Sequence, residues 1–169
     1  MAIDPEQFRQ TLGRFPTGVT VVTLKLPDGV PAGSPAEAPH GAVHGITVSS
    51  FTSLSLTPPL VGVAIGQKAR AHAMLPALAR YGVSVLATDQ AGVSDHFAGR
   101  PVALEGDPFE ELDGHPVVKG AAAQLVCVVV NQVPVGDHMF VVGRVDHARA
   151  TEIGSLAYAR GRYGRVELG

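Results

Sequence analysis

Runs of β-branched residues, each of strand length and each closed off by Gly, Pro or Asp, constrain this chain most. They cover residues 18–26 (GVTVVTLKL), 45–51 (GITVSSF), 60–65 (LVGVAI), 81–87 (YGVSVLA), 125–133 (LVCVVVNQV) and 138–147 (HMFVVGRVDH). Side chains branched at Cβ pack well on a pleated, half-buried surface, and Gly or Pro at the flanks punctuates the runs. Their uneven spacing suits a mostly β barrel with a few inserted short helices better than regular βαβ units.

Helix signals are sparse. Asp4-Pro5-Glu6 reads as an N-cap, a first-turn proline and an acid facing the helix dipole, and Phe8, Leu12 and Phe15 follow at helical spacing. Residues 69–75 and 91–98 form two further short candidates, with Pro76 expected to stop the first. Residues 27–44, rich in Pro, Gly and Ala, read as a long mobile hairpin insert.

Composition excludes several classes. With 46% apolar and 17% charged residues, the chain can bury enough surface to fold. Its 169 residues fit a single domain spanning 1–169. Thirteen Lys and Arg against fifteen Asp and Glu leave a net charge of −2 without a basic block, so no nucleic-acid partner is expected. No apolar run reaches the ~18 residues of a membrane span. The start, MAIDPEQFRQ, carries acids where a signal peptide carries positive charge. One cysteine, Cys127, forbids an internal disulfide and fits a reducing compartment, so a cytoplasmic protein is expected.

The familiar catalytic motifs are absent: no G-x-G-x-x-G after a strand, no phosphate-binding G-x-x-x-x-G-K-[ST], no H-E-x-x-H, no G-x-S-x-G. His40 and His44 stand four apart, but in the poorly helical insert, where a solvated loop is the better reading than a metal site. Cys127 lies in the apolar run LVCVVV, where a buried thiol is inert. No catalytic nucleophile or base is expected.

Three polar clusters remain. In GITVSSFTSLSLTPP, Thr47 and Ser49 alternate with Ile46 and Val48, so one strand face carries hydroxyls; Ser50, Thr52, Ser53, Ser55 and Thr57 extend this into a turn-rich stretch. Hydroxyls and free N–H groups at a strand end suit a polar cofactor, although an ordinary Ser/Thr-rich edge and loop has the same composition. Gly136-Asp137-His138 places an imidazole beside a carboxylate at a strand start, as a proton donor, an anchor for an amide-bearing ligand, or part of a plain hairpin turn. Arg160-Gly161-Arg162-Tyr163 offers cations and a ring for an anionic aromatic ligand, or a solvated tail.

Taken in order, FRQTLGRFPTGVTVVT (8–23), GITVSSFTSLSLTPPLV (45–61), YGVSVLATDQ (81–90), HPVVKGAAAQLVC (115–127), GDHMFVVGRV (136–145) and LAYARGRYG (156–164) resemble the flavin reductase-like family. Its members are small reductases serving two-component flavin monooxygenases, similar to the 4-hydroxyphenylacetate and phenol hydroxylase reductases. The resemblance spans nearly the whole chain outside 27–44. It implies a split β-barrel with Greek-key strands, a homodimer, and hydride transfer from NADH or NADPH to FMN or FAD, with reduced flavin passing to a partner monooxygenase. The chain's lack of Trp and its 5% aromatic content also favour an apolar sheet surface completed by a second subunit.

The resemblance implies roles position by position. Thr17 and Gly18 would approach the isoalloxazine; Thr47, Val48, Ser49 and Ser50 would line the ring edge and ribityl chain, and Ser53 and Leu54 would continue that wall. Ala87 and Gln90 would face the ribityl or adenylate side. His138, Tyr163 and Arg160 would form the nicotinamide side. Where members of the family carry hydroxyls for the flavin phosphate, this chain has GQKARA (66–71), so Lys68 and Arg70 would substitute charge. Rival readings are a non-catalytic flavin- or haem-binding split barrel, and a relative acting on another substrate such as a corrinoid.

Overall fold

The structure, a computed structural model, describes residues 3–25 and 43–167. Its main element is a seven-stranded antiparallel sheet. Its strands in chain order are β2 (Thr20–Lys25), β3 (Val43–Val48), β4 (Thr52–Leu56), β5 (Pro59–Gly66), β6 (Arg80–Val85), β9 (Ala123–Val135) and β10 (His138–Ala150). They lie in the order β3-β2-β6-β9-β10-β5-β4. A short strand β1 (Thr17–Gly18) joins the C-terminal hairpin β11 (Leu156–Ala159) and β12 (Arg162–Arg165) in a three-stranded sheet, while β7 (Phe109–Leu112) and β8 (His115–Val118) form a separate hairpin. The helices are α1 (Pro5–Leu12), a 3₁₀ helix (Arg70–Ala77) and α2 (Ala91–Phe97).

The large sheet rolls on itself. Val48 on the edge strand β3 and Val61, Val63 and Ile65 on the distant β5 share one buried cluster with Val22, Leu24, Tyr81, Cys127 and Val141. Burying each such aliphatic side chain stabilises the fold by roughly 1.5–3 kcal/mol. Alternation along β2 sends Val22 and Leu24 into that barrel and Val21 to the opposite face. There Val21 meets Leu86, Phe97, Phe109, Val118 and Leu156 in a second cluster beneath α2. Two glycines permit close approach: a Cβ at Gly143 would collide with the Tyr81 phenol, and one at Gly45 would come within 2.5 Å of the Phe97 ring.

The expected mostly β barrel with a few short helices is what forms, and all six strand-like runs are strands. Asp4 caps α1 as read from the sequence, its carboxylate accepting from the Glu6 and Gln7 N–H groups at 3.0 and 2.9 Å.

Four local expectations need correction. The stretch read as turns after Ser50 contains β4, whose Ser53 pairs with Val61 before a turn with a cis Thr57–Pro58 bond. Pro76 does not end its helix, which is 3₁₀ and runs on to Ala77, with Leu78 N–H closing onto Leu75 C=O at 3.1 Å. Val43 and His44 belong to β3 rather than to a loop, and the remainder of the expected insert, with His40, lies outside the described residues. The C-terminal segment, for which a solvated tail was open, is the β11–β12 hairpin, its turn carried by Arg160 and Gly161 at φ +54° and +76°. Among the described residues no helix is long and apolar enough to cross a membrane.

Candidate functional site

Two strand systems and a helix converge on one slot. β3 contributes Thr47 and Val48, followed by Ser49; the C-terminal hairpin contributes Tyr158 and Tyr163; α2 contributes Ser94, followed by Ala98 and Arg100. The enclosed space is about 140 Å³. Tyr158 and Tyr163 are cross-strand partners whose ring centroids lie 5.4 Å apart at 59°. Thr17 pairs with Tyr158 and Gly18 with Ala157, so the expected PTG segment borders the same hairpin. The Thr17 hydroxyl is buried and has no protein hydrogen-bond partner, an uncommon state for a buried polar group and one that a ligand acceptor would relieve.

The slot walls are bonded to one another. Thr47 Oγ1 donates to the Ser94 carbonyl at 2.7 Å, tying β3 to α2. Tyr163 ties β12 to the same helix: its hydroxyl lies 2.5 Å from Asp95 Oδ1, to which it donates, and 2.9 Å from Ser94 Oγ. Burial and the Asp95 carboxylate raise the Tyr163 phenol above its ordinary range. Arg100 pairs with Asp95 at 2.7 Å, so a guanidinium stands on the slot wall with its neighbouring acid already engaged.

Thr47, Ala98 and Arg100 also line a wider cleft of about 880 Å³ between β3, the start of the 3₁₀ helix and the loop after α2. Arg70 and His44 face each other there: burial, and then the Arg70 charge, hold His44 below its ordinary range. Slot and cleft together have apolar walls, with the Thr47 and Ser49 hydroxyls and the Arg100 guanidinium in the slot and Arg70 in the cleft. That set fits a flat, many-acceptor ring carrying a phosphorylated tail, which is what a flavin is.

Other expected residues lie elsewhere. The Ser50 hydroxyl both donates to and accepts from the Ala64 main chain, at 3.0 Å each, and so splices itself into the edge of β5. Ser53 and Leu54 stand exposed on β4. The Gln90 side-chain amide is engaged at both ends, accepting from Ala87 N–H at 2.9 Å and donating to the Lys119 carbonyl at 2.7 Å. It therefore holds the β6–α2 turn, with Ala87 buried beneath.

His138 pairs with Gly66 at the end of β5, two residues along from the Ala64 that Ser50 clasps. Its Nδ1 lies 2.7 Å from Asp137 Oδ1; this contact, and more weakly the charge of Lys68, keeps the Asp137 carboxyl below the usual range. Ser50 and His138 thus both meet the last residues of β5, whereas His138 does not line the slot that holds Thr47 and Ser49. Tyr163 and Arg160, expected beside His138, are instead distributed: Tyr163 sits in the slot, and Arg160 lies against α1. The sequence reading did not single out Ser94, Ala98, Arg100 or Tyr158. Only Tyr158 had a legible signal, since a two-residue Arg-Gly turn places it opposite Tyr163.

Cys127 is fully buried, and burial pushes its thiol up to about 12, so it is inert as expected. Among the described residues no group of His, Cys, Asp and Glu could hold a metal ion.

Comparison with known proteins gives a consistent result. Residues 12–167 match the model of the flavin reductase like domain. An NADH-dependent flavin reductase from a Rhodococcus species is 38% identical over 98% of this chain and 89% of its own length. The reductase component of the Thermus thermophilus 4-hydroxyphenylacetate 3-monooxygenase is 39% identical over 95% of this chain and 96% of its own. The solved structure of the flavin reductase PheA2 in its native state superposes with a TM-score of 0.86 at 39% identity, over 98% of this chain and all of that one.

Proposed function

The chain belongs to the flavin reductase-like family, and on that premise we propose how it serves as an NAD(P)H:flavin oxidoreductase whose reduced flavin is consumed by a monooxygenase. The observation that carries the reading is the slot itself, with paired tyrosines, strand hydroxyls and a guanidinium around a space that shares Thr47, Ala98 and Arg100 with a wider cleft holding Arg70.

Flavin, when bound, supplies the redox chemistry by accepting hydride from the nicotinamide; the protein supplies position and electrostatics. Val19 and Val48 give the slot dry walls, and Ser49 offers hydrogen bonds to ring heteroatoms. Arg100 favours negative charge at the same wall. Arg70, in the wider cleft, is placed to meet the phosphorylated tail of FMN or FAD. His138, with Asp137 orienting its ring, serves the nicotinamide side. No nucleophile or general base is needed.

The active unit in this reading is a cytoplasmic homodimer. Its support is a set of exposed apolar side chains, Leu54 and Leu56 on β4 and Val130, Val133 and Val135 on β9, of which Leu56 is 89% exposed; so large an apolar display on a sheet marks an interface.

The deciding experiment mixes purified protein with NADH or NADPH and free FMN or FAD and follows nicotinamide absorbance. Turnover in at least one of the four pairings is expected; none in any pairing overturns the reading, and a protein that stays yellow without turnover would be a flavin carrier instead.

A further inference from the structure

A second basic pocket, separate from the slot, lies where the end of α1 meets the tip of the β11–β12 hairpin. It encloses about 400 Å³ between Arg9, Gln10, Gly13 and Arg14 on one side and Arg160 and Gly161 on the other. The seam is tight: Arg160 N–H donates to the Gly13 carbonyl at 2.8 Å, and a Cβ on Gly13 would lie 3.1 Å from the Arg9 carbonyl and 4.0 Å from the Arg160 Cα. Three exposed arginines therefore line one cavity, and among the described residues none of them forms an ion pair with a carboxylate. Like charges held together in this way repel unless an anion joins them.

The turn gives an independent sign. A two-residue hairpin turn with both central residues at positive φ favours Asn-Gly. This chain has Arg at the first of those positions, with φ +54°. Non-glycine backbone in this region is strained and is kept only where the surrounding structure over-determines it, here by the Arg160 N–H bond to the Gly13 carbonyl. Arg160 also stands two residues beyond Tyr158, about 7 Å along the strand from the slot wall, a span comparable to that between a nucleotide's ring and its first phosphate.

Resting on the reading of the enzyme as a reductase that binds two phosphorylated substrates, we infer that Arg9, Arg14 and Arg160 form a phosphate subsite for the nucleotide whose ring occupies the slot region. The group recognised is a phosphate or pyrophosphate; it belongs to the pyridine nucleotide or to the flavin.

The test uses the whole protein and the double variant R14Q/R160N, which removes two charges while giving the turn its preferred Asn-Gly sequence. Pyrophosphate titrated into flavin-free protein by calorimetry is expected to bind the wild type and to bind the variant at least ten-fold more weakly. In steady-state assays a ten-fold rise in KM for NADH, larger than any change in kcat, with riboflavin and FMN unmoved, assigns the phosphate to the pyridine nucleotide. A rise for FMN with none for riboflavin assigns it to the flavin. Absence of pyrophosphate binding in the wild type, equal binding in the variant, or weakened binding without any change in KM each overturns the inference. A wild type that oxidises no NAD(P)H refutes the reductase reading, while the calorimetry still reads the pocket.

Discussion

Tyr163 Oη lies 2.9 Å from Ser94 Oγ, so the last strand of the chain is latched to a helix nearly seventy residues earlier. The latch closes one wall of the slot. In Y163F the slot keeps its ring but loses the latch, leaving the fully buried Ser94 without that partner. The expected cost is about 1–2 kcal/mol, with melting lowered by roughly 2–4 °C per kcal/mol and flavin affinity reduced. A melting temperature and flavin Kd equal to wild type would refute the latch.

The same phenol sets an alkaline limit. Its folded pKa is raised above the ordinary 10.0, so the folded state holds the proton more tightly than the unfolded chain does. The stabilisation is thus complete below pH 10.0 and is lost as pH climbs through the raised folded value. Wild type should lose more stability than Y163F over that alkaline range; parallel denaturation midpoints for the two would contradict this.

Gly143 and Tyr81 test the barrel interior. In G143A the new methyl meets the Tyr81 phenol and sits 2.9 Å from the Cys127 Cβ, and overpacking of this kind costs ~1–3 kcal/mol or more. Urea midpoints should fall accordingly, and an unshifted midpoint would mean that the phenol has room to move.

The buried thiol gives a chemical check on the same core. With its pKa near 12 and no surface exposed, Cys127 should react with an aromatic disulfide reagent at pH 8 only after denaturant opens the barrel. Rapid labelling of the native protein would show that the β6–β9 region opens freely.

For H138A the expected result is a rise in KM for NADH with little change in flavin Kd, since the imidazole lies at the end of β5 rather than in the slot. The reverse pattern would move His138 to the flavin side.

Much of this was legible in the sequence because strand signals are local. Runs of β-branched residues bounded by Gly, Pro or Asp located β2, β5, β6, β9 and β10 to within a few residues, and Asp4-Pro5-Glu6 marked the start of α1. β4 was missed because Thr52, Ser53 and Ser55 resemble a turn unless Ser50 is known to clasp Ala64 fourteen residues on. The slot was half legible: Thr47 and Ser49 advertised themselves as hydroxyls on an apolar strand. Ser94 and Arg100 did not, because they reach the slot only when α2 docks by its own Phe97 into the second cluster. Gln90 failed for the opposite reason, its amide serving the main chain at both ends.

The two tyrosines and the β3 residue Thr47 belong to different sheets, bridged at the slot by side-chain bonds to α2. Main-chain bonds join the two sheets behind the slot, at Val19, Leu86 and Leu156, but the mouth of the gap is held by this side-chain joint. A guest wedged into it can spread the jaws by letting Tyr163 swing free, with every strand pairing left intact.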